Sequence, residues 1–75
     1  MNIYNYSVIF EPCEEGGYNV IVPAIPEICT FGQTMDEAKA MATEAIKCFI
    51  ESALQSGDDI PGDREPSIEK ITVSL

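Results

Sequence analysis

Most hydrolytic chemistry needs a side chain that takes up and returns a proton near neutral pH, and this sequence contains no histidine. A Cys-His nucleophile, a Ser-His-Asp triad and a histidine metal site are thereby excluded. The remaining nucleophiles are Cys13, Cys29 and Cys48. Their number is odd and their spacing forms no CxxC pair for zinc or redox work. Cys29 and Cys48 read as small buried apolar residues, while Cys13 falls in an expected turn as an exposed thiol. The carboxylates Asp58, Asp59, Asp63 and Glu65 do not match the spacing of a calcium loop, and Pro61 stiffens the stretch. A solvated linker is expected there. No metal, cofactor or catalytic residue is expected.

Binding is what the charge allows. Thirteen acidic residues against four basic ones give a formal net charge of −9, and Lys39, Lys47, Arg64 and Lys70 are scattered. Nucleic-acid affinity rests largely on Lys and Arg neutralising phosphates, so direct DNA or RNA binding is not expected. Either a cationic protein partner or simple solubility accounts for the acidity. Glu11, Glu14 and Glu15 in a turn, Tyr18 just after it and Glu27 in a proline-bounded link are the candidates for contact with a basic partner. Plain turn polarity is the alternative for the glutamates. Tyr4, Tyr6 and Tyr18 lack the surrounding cations of a base-stacking platform and read as core or interface aromatics.

The elements that position these residues follow from periodicity. In "IYNYSVIF", residues 3–10, Tyr4, Tyr6, Val8 and Phe10 share one face with the period of two of a half-buried strand. "EPCEEGG" is a hairpin connection, and "YNVIV" returns antiparallel with Tyr18, Val20 and Val22 on one face. Pro23 and Pro26 break the ladder, and a third strand, "ICTF", ends at Gly32. Thr34 then takes the N-cap position, with Glu37 three residues on as its capping-box partner and Asp36 in the first turn. Ala38, Met41, Ala42, Ala45, Ile46, Phe49, Ala53 and Leu54 form an apolar helical stripe that runs to Ser56, and Gly57 supplies the stop. After "DDIPGDREPS", "IEKITVSL" alternates again, with Ile71, Val73 and Leu75 on one face.

These elements predict one domain over residues 1–75 in the α+β class. The expected fold has two layers: a mixed four-stranded sheet, β-β-β-α-β in the order 3-2-1-4 by a right-handed crossover, with one helix packed on one face. A 22-residue helix is about 33 Å long and strands of five to eight residues reach about 17 to 27 Å, so the helix should overhang. Phe49, Ile50, Ala53 and Leu54 at that end, above a sheet with an uncovered outer face, suggest a homo-oligomer or a partner; a fold-back of residues 58–67 over the same end is the alternative. No apolar run approaches the roughly 20 residues of a membrane span. "MNIYNYSV" has no basic leader, which makes the cytoplasm the expected compartment.

The ordered residues resemble the HicB antitoxin domain, which carries a partial RNase H fold. The resemblance rests on Glu14, Glu15, Gly17, Tyr18, Pro23, Gly32, Thr34, Glu37 and Ala38, with Ile60 and Pro61 after the glycine-ended helix, and covers roughly residues 4–61. It implies a type II antitoxin that binds and masks a small basic HicA-type toxin, an mRNA-cleaving ribonuclease. Many members of the family continue into a DNA-binding domain; this sequence stops at Leu75, which places autoregulation by operator binding in doubt. An RNase H site would need carboxylates converging from strand one, the helix and strand four, but strand one offers none between Ile3 and Phe10. A non-enzymatic antitoxin is the resulting expectation. The alternative is an orphan domain of the same fold acting as a homo-oligomeric binding or scaffold protein.

Overall fold

The alternation in the first part of the chain folds as an antiparallel meander. In the computed structural model, which describes residues 2–75, the elements are β1 (Ile9–Pro12), β2 (Tyr18–Ile21), β3 (Cys29–Gly32) and α1 (Met35–Ser56). The sheet order is β1-β2-β3. Ile9 lies opposite Ile21, which lies opposite Cys29, and Glu11 lies opposite Asn19, which lies opposite Phe31. The β1–β2 turn closes with Cys13 N–H donating to the Gly17 carbonyl and Gly16 N–H to the Cys13 carbonyl, both at 3.0 Å. Gly16 and Gly17 have φ of 101° and 81°, a region that residues with a Cβ rarely adopt.

Two expectations about the sheet are corrected. Strand one, expected over residues 3–10, is a ladder only from Ile9 to Pro12. Its partner ends at Ile21, and Pro23 just beyond has no N–H to extend the pairing. The fourth strand does not form in the protomer, so the mixed order 3-2-1-4 gives way to three antiparallel strands. Residues 68–75 find no backbone partner among the described residues. Ile68, Ile71 and Val73 are 80%, 84% and 74% exposed.

The helix begins and ends where its signals lie. Thr34 Oγ1 accepts from Glu37 N–H at 3.1 Å, and Gly57 at φ 72° closes the C-terminus, with Asp58 N–H donating to the Ala53 carbonyl at 2.9 Å. Its inward face is narrower than the stripe suggests. Ala38, Ala42, Ile50 and Ala53 are buried, whereas Met41 and Leu54 are exposed. Cys48, expected to be buried, lies on the solvent side; Cys29 is exposed as well, and Cys13 is half-buried. Cys29 alternates with the half-buried Ile28, just before β3, and Thr30 within it, and so faces out.

The core is Val20, Val22, Ala24, Ile25, Ala38 and Ala42, with Tyr6, Val8, Phe10, Tyr18, Ile28, Ile46 and Phe49 packed half-buried against it. Small alanines on α1 let the helix lie close to β3. At Gly32 the approach is closest: a Cβ there would meet the backbone of Ala38 and come within 2.8 Å of the Glu37 carbonyl carbon. Gly32→Ala is therefore expected to push the first helical turn outward and cost about 1–3 kcal/mol, read as a lowered urea midpoint with an unchanged slope.

Candidate protein-binding surface

The sheet has two unlike faces. One packs on α1; the other has no element over it among the described residues. Strand alternation sends Ile9, Ile21 and Cys29 outward in one row and Glu11, Asn19 and Phe31 in the next. Ile21 and Phe31 are 37% and 38% exposed, so this outer face combines apolar side chains with an acidic margin.

The hairpin supplies most of that margin. Glu14 and Glu15 are exposed in the β1–β2 turn, beside the exposed Glu11. Cys13, Glu14, Glu15 and Gly16 line a depression of about 350 Å³ together with Phe31 and Gln33. The turn thus curls toward the end of β3, and Glu14 and Glu15 share this depression with the exposed Phe31. Such an arrangement can hold a cationic group over the ring face or guide a basic protein onto the apolar row.

Of the residues singled out from sequence, Glu11, Glu14 and Glu15 come together at this end. Glu27 is exposed in the proline-bounded link that joins β2 to β3, at the opposite end of the sheet. Tyr18 packs half-buried on the helix side, away from the acidic margin. Ile9, Ile21 and Phe31 were missed as surface residues. Their signal was present in the alternation: if Tyr18, Val20 and Val22 face in, then Ile21 must face out. At the helix end, Ile50 and Ala53 are buried within the protomer, Phe49 is half-buried and only Leu54 is exposed.

Where a solvated linker was expected, the chain after α1 is clamped instead. Tyr6 Oη donates to the Pro61 carbonyl. Asp63 accepts from Ser7 N–H at 2.7 Å and from Ser7 Oγ at 3.0 Å through its two carboxylate oxygens. The Ser7 backbone N–H holds the Asp63 carboxyl below its ordinary value, aided by the Ser7 hydroxyl. Burial, followed by the nearby Tyr4 and Asp63, raises the Tyr6 phenol. Because the folded Asp63 value is depressed, the clamp is intact above the ordinary aspartate value of 3.8 and is lost as pH falls through the folded value. Titration from pH 4 downward should shift the Ser7 amide resonance, and Asp63→Asn should remove that transition.

A second open region lies between residues 4–10 and α1. It is a groove of about 870 Å³ with Tyr6, Val8 and Phe10 on one wall and Ala42, Ile46 and Ile50 on the other. It exists because α1 packs chiefly on β3 and β2, leaving the inner face of β1 partly uncovered. Among the described residues no helix is long and apolar enough to cross a membrane.

Comparison with known proteins gives a consistent family. Residues 6–74 match the family described as HicB-like antitoxin of bacterial toxin-antitoxin system. The chain is similar to Antitoxin HicB 1 of Photorhabdus laumondii, 45% identical over 56 residues that cover 75% of this chain and 36% of the relative. It therefore spans little more than a third of that protein. A UPF0150 protein of Thermoplasma acidophilum is 43% identical over 68 residues, covering 91% of this chain and 94% of its own. One from Synechocystis sp. is 37% identical over 59 residues, covering 79% and 75%.

Proposed function

The chain belongs to the HicB-like antitoxin family of bacterial toxin-antitoxin systems, and from that premise we propose that it neutralises a small basic mRNA-cleaving toxin of the HicA type by covering the toxin's RNA-binding surface. As an antitoxin it is not an enzyme. The observation that carries the proposal is the outer sheet face, where Ile21 and Phe31 are flanked by Glu11, Glu14 and Glu15. A toxin that holds RNA does so with cations. Carboxylates on a neighbouring protein compete for those cations, and the apolar row supplies contact that salt does not screen.

In this reading the protein acts in the cytoplasm, where the toxin's substrate lies, and a net charge of −9 keeps the free chain off nucleic acid. The sheet and helix are a partial RNase H fold used for its surface alone. The reading is tested by co-expression with the adjoining reading frame. Growth arrest by that frame alone, relieved by this chain, together with a salt-sensitive complex on pull-down, supports it. A neighbour that is absent or harmless, with no basic protein co-eluting, sinks it. The second reading is an orphan homo-oligomeric binding or scaffold domain. It is favoured by the exposed apolar residues Ile68, Ile71 and Val73, which a toxin-covering outer sheet face does not explain.

A further inference from the structure

Residues 68–75 and the groove beside β1 are complementary to each other, and the protomer does not bring them together. The segment alternates, with Ile71, Val73 and Leu75 on one side and Lys70, Thr72 and Ser74 on the other. That is the pattern of a strand with one buried face, yet all of these side chains are exposed. The segment stands off the body of the protein: the molecule measures 52 × 25 × 19 Å with a radius of gyration of 14.7 Å, against about 11 Å for a compact chain of this length.

The groove has the opposite need. β1 is one of the two edge strands of the sheet and the one that borders the groove, so its outer N–H and C=O groups are free to pair. Tyr6, Val8, Phe10 and Ile46 are only half-buried around the opening. Lys39 and Lys47, two of the four basic residues in an acidic chain, stand at its margin beside one carboxylate, Glu51. An incoming strand that turns Ile71 inward places Glu69 on the same side, toward that basic rim.

The clamp decides which copy of the segment fits. Asp63 is fixed opposite Ser7. A one-for-one ladder running on from there along β1 would set Ile68 opposite Pro12, the last residue of the strand; run the other way, it would set Ile68 opposite Asn2. In neither direction do Ile71, Val73 and Leu75 come alongside Tyr6, Val8 and Phe10. Residues 64–67, which include Pro66, form a short stiff hinge of the kind that favours exchange over folding back.

We propose that two copies of this chain exchange residues 68–75, each segment adding a strand to the β1 edge of the other copy and burying Ile71, Val73 and Leu75 in the groove against Ala42, Ile46 and Ile50. The interface is isologous, as a twofold dimer requires. It lies on the side of the fold away from the acid-rimmed outer face and does not depend on toxin binding, so the two can fail separately.

The test uses the full chain without partner. Sedimentation and light scattering should give twice the 8.2 kDa chain mass. The double variant I71K/V73K should be monomeric, with self-association weakened about 100-fold or more and an unchanged circular dichroism spectrum, because these residues contribute nothing to the protomer core. In a dimer mixed from isotope-labelled and unlabelled copies, filtered NOEs should connect the Val73 methyls of one copy to Phe10 and Ile46 of the other. A monomeric wild type, a dimer indifferent to I71K/V73K, or contacts found only within one copy would each overturn the proposal.

Discussion

Replacing Glu11, Glu14 and Glu15 together by lysine is expected to abolish protection against the toxin, with affinity for it falling about 100-fold or more. All three side chains are exposed at one end of the sheet, so the fold should survive their change. Complementary fields raise association rates by about 10 to 1,000-fold, and like charges brought together at an interface cost several kcal/mol. Reversal loses the first and incurs the second. The signature is in the salt dependence. At about 0.15 M the screening length is near 8 Å and at 1 M near 3 Å, so wild type and variant should differ most at low ionic strength and converge as salt rises. Glu27→Lys, at the far end of the sheet, should have a much smaller effect. Phe31→Ala should act differently again, raising the dissociation rate with little change in salt dependence. A triple variant that still rescues growth would remove the hairpin from the toxin interface.

The elements that local signals determine were legible in the sequence. Thr34 and Gly57 bound the helix as expected because a cap is a property of a few consecutive residues. The hairpin at Gly16 and Gly17 and the inward face of Tyr18, Val20 and Val22 follow from turn chemistry and a period of two. What was not legible depended on pairing. The length of β1 is set by where its partner meets Pro23, and the place of residues 68–75 is set by Asp63 holding Ser7, a bond between residues 56 apart in sequence that no local pattern announces. Cys29 and Cys48 were misplaced by reasoning from residue type: cysteine is often buried, but here register and helical phase put both outside. Charge and position single out Glu11, Glu14 and Glu15 in the sequence, whereas Ile21 and Phe31 beside them are legible only from the outward half of the strand alternation.

The largest loss of stability should come from Ile25→Ala. A chain of this length is held by roughly 4–11 kcal/mol in all, and half of its six central core residues are alanines, so the volume of the core rests on Val20, Val22 and Ile25, the largest fully buried side chains. Ile25 sits between Pro23 and Pro26 in two linked turns, its N–H donating to the Val22 carbonyl at 2.9 Å and its carbonyl accepting from Ile28 at 3.0 Å. Those turns fix its backbone, so the site cannot collapse around a smaller side chain. Truncation of a buried isoleucine to alanine costs about 2–5 kcal/mol, and in a domain this small each kcal/mol lowers Tm by about 4–8 °C. The measurement is best made in the I71K/V73K background, where stability does not depend on chain concentration if self-association is lost. Ile21→Ala is the contrasting change: its side chain faces outward, and its loss should move Tm little while weakening the toxin complex. Opposite outcomes for two isoleucines four residues apart would separate the residues that build the fold from those that present its surface.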